Sequence, residues 1–251
     1  MTTPSQIGAF FDLDGTLLSW PSLEWRFIAY LASRDILGPA TLARSLSTVV
    51  ANAANGLPLA HDCRMYLAGL STSLVDDWLA DQPKALPVFD DGLRRLEWHA
   101  SQGHRIAVVS GTLAPLARAF AWQLQVPVEI YATELETVSR VSKEGSGFAA
   151  HIWIGELASE WPNGLTKARI VRSLAANRGL DLSRSFAYGN SAADAAMLSV
   201  TGYPRAVNPS LCLRRIAARR RWIVEYWRAR TDAHEFVRSR SLTTARFGGH
   251  R

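Results

Sequence analysis

The chain has 251 residues, of which 48% are hydrophobic, and a formal net charge of +6. This length supports one sizeable core together with a smaller accessory domain, and two cysteines do not make a disulfide framework. No uninterrupted apolar stretch is long enough to span a membrane, and residues 1–7 are too polar for a signal peptide. We therefore expect a cytoplasmic protein.

The first predicted strand ends in two aspartates. Residues 10–18 read FFDLDGTLL, an apolar run that changes abruptly at Asp12 and Asp14. Such a run predicts a buried parallel strand, and ligands bind at the carboxyl ends of these strands. Two carboxylates this close repel each other unless a cation lies between them or one holds a proton. The pattern predicts a divalent metal, an acid/base pair or both; the alternative is a strand that ends in a solvated Asp-Gly turn.

A helical segment follows. Residues 24–33, 41–55, 59–67 and 74–79 have helix-like periodicity, with glycine or proline between them. We interpret residues 19–86 as a small helical cap that closes over the site and excludes water. The core resumes with a helix at residues 90–101.

The second predicted strand, residues 105–109, ends in Ser110, Gly111 and Thr112. A hydroxyl at a strand end followed by glycine suits a phosphate oxygen, and the alternative is an N-cap for a helix at 113–123. Further along, residues 130–154 alternate around a glycine-rich turn and predict a β-hairpin appended to the core.

Lys167 stands near the start of a predicted amphipathic helix, residues 165–176, in a chain with three lysines and 25 arginines. A cation there opposes the helix dipole, which indicates an electrostatic function. A third strand at residues 185–188 is followed by Asn190 and Asp194. These oxygen ligands are expected to meet the first strand's carboxylates at one sheet edge.

The ordered motifs DxDGT, Ser-Gly-Thr, Lys and Gly-x-x-x-x-Asp resemble those of the haloacid dehalogenase superfamily. Within it, the chain is similar to the phosphoserine-phosphatase-like subfamily IB, and the resemblance covers residues 7–228. It implies an α/β fold: a Rossmann-like three-layer core with a parallel sheet, formed by residues 1–18 and 87–228. The helical cap at 19–86 is inserted after the first strand, and residues 229–251 form a basic tail.

The resemblance also implies roles for individual residues. Asp12 would be the nucleophile that forms an aspartyl-phosphate, and Asp14 would protonate the leaving oxygen and then activate water. Ser110 would bond the transferring phosphoryl group and Lys167 would neutralise its charge. Thr16, Gly111 and Thr112 would also contact the substrate, and Mg²⁺ would be held by Asp12, Asp14, Asn190 and Asp194.

One position departs from the family pattern. Many relatives carry aspartate where this chain has Asn190, so the site loses one negative charge while keeping an oxygen ligand. We expect weakened Mg²⁺ binding, for which Asp194 compensates directly, through water or by fixing Lys167.

Substrate specificity is expected to lie in the cap. Arg64 resembles the arginine with which phosphoserine phosphatases bind the substrate carboxylate, and Glu24 is the nearest acidic residue. For both residues we favour ordinary solvated helix surface over a role in substrate binding. Trp20, Trp25 and Tyr66 either line an apolar pocket or belong to the core.

The positive charge is concentrated in residues 211–251, which hold eleven arginines and three acidic residues. Peripheral contact with an anionic membrane is one interpretation, but we favour a solvated helix with a frayed end after residue 242. Nucleic-acid binding is not favoured, because no nucleic-acid motif is present.

The sequence therefore predicts a Mg²⁺-dependent phosphatase that acts on a small phosphorylated metabolite. A phosphotransferase with the same aspartyl-phosphate and a catalytically weak binding or regulatory module are the alternatives. The oligomeric state does not follow from the sequence.

Overall fold

A computed structural model describes residues 6–38, 64–81, 86–141 and 149–229. Its centre is a six-stranded, fully parallel sheet in the order β3-β2-β1-β6-β7-β8. The strands are β1 (Gly8–Phe11), β2 (Arg105–Leu113), β3 (Glu129–Thr133), β6 (Phe186–Gly189), β7 (Tyr203–Val207) and β8 (Ile223–Glu225). A separate antiparallel hairpin consists of β4 (Leu135–Val141) and β5 (Ala149–Leu157).

Seven α-helices are present within the described ranges. They are α1 (Leu23–Ser33), α2 (Leu74–Ala80), α3 (Asp90–Ser101), α4 (Ala114–Trp122), α5 (Leu165–Arg178), α6 (Ala195–Leu198) and α7 (Leu211–Arg220). Short 3₁₀ turns lie at Met65–Leu67, Leu182–Arg184 and Ala192–Asp194. The predicted α/β class with a parallel core sheet is confirmed.

Alternation along β1 divides the apolar core between the two faces of the sheet. Ala9 and Phe11 belong to one buried cluster, which also contains residues of α1, α3 and α4, whereas Phe10 belongs to another, with residues of α5, α6 and α7. β1 contributes to both clusters because successive side chains of a buried strand point to opposite sides of the sheet. The chain thus forms helix layers on both faces of the sheet.

The cap prediction is only partly within the described residues. Helix α1 matches the predicted helix at 24–33, and α2 matches the one at 74–79. The predicted helix at 41–55 and most of that at 59–67 lie outside the described residues, and residues 65–67 form a 3₁₀ turn instead of an α-helical end. The division into core and cap stays a prediction.

The boundary predicted for the hairpin was wrong. Residues 130–133 belong to β3 of the main sheet, and the hairpin begins at Leu135. Its second strand bonds to residues 64–72 through main-chain groups, among them Arg64 N to the Gly155 carbonyl at 2.9 Å. Gly155 has φ +88°, and a Cβ there would lie 3.0 Å from Met65 Cα, so this close approach requires glycine.

The start of the basic C-terminal region is part of the fold. Helix α7 packs on the sheet through Leu213 and Ala217, and β8 adds the sixth strand. Residues 230–251 of the predicted tail lie outside the described residues. No helix in the described ranges is both long and apolar enough to cross a membrane.

Candidate active site

The two aspartates lie directly after β1, at the carboxyl edge of the sheet. The Asp12 N–H donates to the carbonyl of Tyr188 on the neighbouring β6 at 2.9 Å, so the chain is still held beside that strand. Asp14 accepts from the main-chain N–H of Leu23 at 2.9 Å and from the hydroxyl of Thr112. Burial raises the pKa of Asp14 above its ordinary value, more than these hydrogen bonds lower it.

Asp12 is buried and bonded on both carboxylate oxygens. Its Oδ1 accepts from Lys167 Nζ at 2.6 Å, and its Oδ2 accepts from the hydroxyl of Thr16 at 3.1 Å. Burial and the nearby charge of Asp194 raise the pKa of Asp12 to about 7, although Lys167 acts in the opposite direction. The crevice therefore holds more negative charge than its lysine balances.

Lys167 joins the first motif to the fourth. Its Nζ lies 2.6 Å from Oδ1 of Asp12 and 2.6 Å from Oδ1 of Asp194. Burial alone would lower the pKa of Lys167, but the charges of Asp12 and Asp194 outweigh burial and raise it, so the ammonium form is stable. The lysine at the start of α5 is thus explained by two buried carboxylates and not by the helix.

Asp194 is fully buried and organises the loop after β6. Its Oδ2 accepts from the N–H groups of Asn190 at 3.1 Å and Ser191 at 2.8 Å, and from the Ser191 hydroxyl at 2.8 Å. Since Oδ1 is bonded to Lys167, both oxygens have protein donors. Of the three ways in which Asp194 was expected to compensate for Asn190, this geometry favours fixing of the lysine.

Ser110 and Thr112 form a hydrogen-bonded chain that ends at Asp14. The Ser110 hydroxyl donates to Thr112 Oγ1 at 3.2 Å, and the Thr112 N–H donates to Ser110 Oγ at 3.2 Å. The alternative interpretation of these residues as an N-cap was wrong, because β2 continues to Leu113 and α4 begins at Ala114 without a side-chain cap. Instead, the Thr112 hydroxyl bonds Asp14, and the Ser110 hydroxyl bonds Thr112.

The carbonyl of Gly111 accepts hydrogen bonds from three side chains. Thr133 Oγ1 lies 2.6 Å from it, Trp161 Nε1 lies 3.3 Å away and Arg64 Nη2 lies 3.4 Å away. A Cβ at Gly111 would lie 2.8 Å from Trp161 Nε1. Sequence reasoning missed Thr133 and Trp161, because neither belongs to a local pattern that distinguishes it.

Arg64 is buried and paired with Glu24 of α1. Its Nη2 donates to Glu24 Oε2 at 3.1 Å, and its Nε also contacts the carboxylate. The hydroxyl of Tyr66 donates to the same carboxylate. The expectation that Arg64 and Glu24 form solvated helix surface was therefore wrong.

The remaining aromatic candidates are on the surface. Trp20 is 72% exposed and Trp25 is 56% exposed, so neither belongs to the core. Both flank Leu23, whose N–H bonds Asp14.

A hard cation suits the oxygen donors of this crevice. Asn190 lies against Gly15, where a Cβ would be 2.0 Å from the amide nitrogen of Asn190, so its side chain borders the turn that carries Asp14. Within the described ranges, no three His, Cys, Asp or Glu side chains are grouped to hold a metal unaided. In other proteins Mg²⁺ is bound through one or two carboxylates, and water and substrate phosphate complete its shell. The crevice can provide those carboxylates.

The chain resembles known proteins in sequence. A family model described as haloacid dehalogenase-like hydrolase matches residues 9–199. The chain is 30% identical over 258 aligned positions to phosphoserine phosphatase SerB1 of Mycobacterium tuberculosis, covering 96% of this chain and 77% of that protein. It is 28% identical over 225 positions to the inhibition of morphological differentiation protein of Streptomyces azureus, covering 85% and 76%.

Solved structures share the fold. A Bordetella pertussis protein of unknown function has a TM-score of 0.68 at 24% identity, covering 88% of this chain and 98% of that one. A phosphoserine phosphatase with an analogue of the phospho-aspartyl intermediate has a TM-score of 0.58 at 17% identity, covering 94% and 99%. From its motifs, its sheet and the family model that spans most of its length, the chain belongs to the haloacid dehalogenase-like hydrolases.

Proposed function

We propose that the protein is a Mg²⁺-dependent phosphatase that hydrolyses a phosphomonoester through an aspartyl-phosphate on Asp12. The observation that carries this proposal is the position of Lys167 Nζ, 2.6 Å from both Asp12 and Asp194. An ammonium group there holds the nucleophile in place and neutralises charge where a phosphoryl group would arrive. The phosphatase names of several relatives support the same reaction class.

In the first step, a carboxylate oxygen of Asp12 attacks phosphorus and forms a P–O bond. The bond between phosphorus and the ester oxygen breaks, and that oxygen takes a proton from Asp14. Burial raises the pKa of Asp14, which favours the protonated form that this step needs. The Ser110 hydroxyl would bond the phosphoryl oxygens on the other side of the crevice.

In the second step, water attacks the phosphorus of the aspartyl-phosphate. Asp14, now ionised, takes a proton from that water, and the P–O bond to Asp12 breaks to release inorganic phosphate. The hydrogen bonds from Leu23 N–H and Thr112 to Asp14 keep this carboxyl in one position for both proton transfers.

Asp12, the main-chain carbonyl of Asp14 and Asn190 would hold the metal, with Asp194 acting through the loop and Lys167. When bound, Mg²⁺ supplies positive charge that offsets the charge of the phosphoryl oxygens and of the carboxylates. Burial, and after it the charge of Asp194, raise the pKa of Asp12, and a cation beside it would favour the ionised form that attacks phosphorus.

Arg64 and Glu24 would border the alcohol part of the substrate, since Arg64 also reaches the Gly111 carbonyl of the phosphate-binding segment. Their mutual ion pair means that a substrate carboxylate would have to compete with Glu24 for the guanidinium. This competition does not favour phosphoserine over other phosphomonoesters.

The test is release of phosphate from p-nitrophenyl phosphate with Mg²⁺, by wild type and by Asp12→Asn, together with trapping of beryllofluoride. We expect wild type to turn over and to bind beryllofluoride at Asp12, and Asp12→Asn to do neither while it keeps the wild-type circular dichroism spectrum. Transfer of the phosphoryl group to an added alcohol in place of phosphate release would instead show a phosphotransferase. Absence of turnover and trapping by a folded, Mg²⁺-loaded protein would overturn the proposal.

A further inference from the structure

Exposed apolar side chains occur in several segments that reach the carboxyl edge of the sheet. Trp20 and Trp25 flank Leu23, which bonds Asp14. Leu165 is 75% exposed and lies two residues before Lys167. Leu211 is 63% exposed and follows Ser210, whose N–H donates to the Asn190 carbonyl at 2.8 Å. Four large apolar side chains are thus each within a few residues of a group bonded to the candidate active site, a set we call the apolar rim.

Arginines accompany the apolar rim on the side of α7. Residues 195–224 contain no aspartate or glutamate. Arg214 and Arg215 lie in the first two turns of α7 and are exposed, and no carboxylate in the described residues forms an ion pair with either. A cation near a helix N-terminus is disfavoured by the helix dipole, so these arginines do not stabilise their own helix. They leave positive charge beside Leu211.

The same combination continues along the neighbouring helices. A groove of about 610 Å³ begins at Leu165 and runs between α5 and α7. Four alanines from α5, α6 and the turn before α6 line it together with Val200 and Ile216, and its arginines are Arg172, Arg219 and Arg220. The surface is therefore apolar at its centre and basic at its margins.

We infer that the apolar rim, with Arg214 and Arg215, docks on a bilayer that contains anionic phospholipid, and that the enzyme hydrolyses phosphomonoester headgroups at that surface. The inference rests on the phosphatase function proposed above. Apolar side chains enter the interface while arginines meet lipid phosphates, a combination that peripheral membrane proteins use. Duplex nucleic acid is favoured less, because its bases are already stacked and its phosphate backbone offers exposed leucines no apolar contact.

The experiment is co-sedimentation of the full chain with vesicles of phosphatidylcholine alone or with about one-third phosphatidylglycerol, at low and high salt. Two double variants change the proposed docking surface. Leu165→Ser with Leu211→Ser changes the apolar rim, and Arg214→Gln with Arg215→Gln changes the arginines beside it. Two matched variants change the opposite, amino edge: Trp122→Ser with Ile223→Ser removes exposed apolar groups, and Arg178→Gln with Arg184→Gln removes the same charge. All are first assayed for p-nitrophenyl phosphate hydrolysis without vesicles, which we expect to be unchanged.

We expect binding to anionic vesicles that weakens with salt and is absent for phosphatidylcholine alone. Loss of two surface arginines should lower the partition coefficient about 30-fold, which corresponds to about 2 kcal/mol. The leucine variant should lower it by at least about tenfold. The amino-edge variants should bind like wild type. In a parallel assay, phosphatidate added to the phosphatidylglycerol vesicles should be hydrolysed with release of phosphate.

Several results would overturn the inference. One is that the protein does not bind anionic vesicles, and another is that the rim and amino-edge variants lose vesicle binding equally. A third is that duplex DNA abolishes vesicle binding and that this binding needs the arginines but not the leucines. Binding without hydrolysis of phosphatidate, while p-nitrophenyl phosphate is still hydrolysed, would overturn the assigned substrate class. Failure to hydrolyse p-nitrophenyl phosphate would count against the phosphatase function and leave the binding result to be judged separately.

Discussion

Lys167 Nζ lies 2.6 Å from Oδ1 of Asp194, and both side chains are buried, so solvent does not weaken the ion pair. The other oxygen of Asp194 is held by the loop after β6. Asp194 therefore connects the position of Lys167 to the conformation of the loop that carries Asn190. Loss of one partner of a buried ion pair strongly destabilises the folded protein.

The first prediction concerns this connection. Asp194→Asn removes the charge that holds Lys167. It also places the amide NH₂ group either against the three donors at Oδ2 or against the ammonium of Lys167. We expect kcat for p-nitrophenyl phosphate to fall about 100-fold, comparable to the loss of one preorganised charge partner in an active site. Urea unfolding should also show lower stability, by about 1–3 kcal/mol.

Asp181→Asn is the matched control for this change. Asp181 accepts from the N–H of Ser183 at 2.9 Å and from its hydroxyl at 2.6 Å, so it also caps a 3₁₀ turn, but before β6 at the amino edge. Its variant should lose some stability and keep kcat. Equal kcat in Asp194→Asn and wild type would contradict the role assigned to Asp194.

The second prediction concerns metal affinity. Asn190→Asp adds a negative charge beside Gly15 and the aspartates, so the Mg²⁺ concentration for half-maximal activity should fall about tenfold, which is about 1.4 kcal/mol. Asn177→Asp adds the same charge near the far end of α5 and should leave that concentration unchanged. A Mg²⁺ requirement that is the same in both variants and in wild type would refute weakened binding through Asn190.

The third prediction separates backbone strain from steric conflict. Gly15 has φ +84° and Gly179 has φ +64°, but a Cβ at Gly179 meets nothing within 4 Å, whereas a Cβ at Gly15 meets Asn190 at 2.0 Å. Alanine at either position should lower the free energy of unfolding by about 1–2 kcal/mol. Gly15→Ala should in addition lose most activity, because the Asn190 side chain must move. If Gly179→Ala lost as much activity, the steric explanation would be wrong.

The fourth prediction concerns a buried histidine behind the active site. His99 Nε2 lies 2.9 Å from the Tyr188 hydroxyl, and His99 Nδ1 lies 2.8 Å from His104 Nδ1. Burial first, and then the charges of His104 and Arg95, lower the pKa of His99 to about 3. The native protein therefore keeps His99 neutral, while the unfolded chain takes up a proton below its ordinary pKa of 6.5.

The contribution of His99 to stability should consequently be complete above pH 6.5 and be lost as the pH falls from about 6.5 towards 3, by up to about 1.4 kcal/mol per pH unit. The raised pKa of Asp12 acts in the opposite direction in every one of these proteins, so the contribution of His99 is the difference between wild type and variant. Urea unfolding of wild type and His99→Gln at a series of pH values measures this slope. The glutamine keeps an amide for Tyr188 and does not titrate, so its slope should be shallower, whereas exposed His151→Gln should behave as wild type. Parallel slopes for all three proteins would show that His99 does not contribute.

The sequence by itself determined the centre of the candidate site. Asp12, Ser110 and Asn190 each follow a predicted parallel strand, and parallel strands in one sheet bring their carboxyl ends to one edge. Lys167 was identified because its charge opposes its own helix, and the structure shows the carboxylates that it meets. The α/β class followed from the same strand and helix patterns.

Only the tertiary structure decided what surrounds this centre. The ion pair of Arg64 with Glu24 joins residues 40 positions apart, and Thr133 and Trp161 reach Gly111 from 22 and 50 positions away. The hairpin boundary at Leu135 likewise depends on which strand pairs with β2. Local sequence patterns report which face of an element is buried, but contacts between distant elements depend on packing that no local pattern encodes.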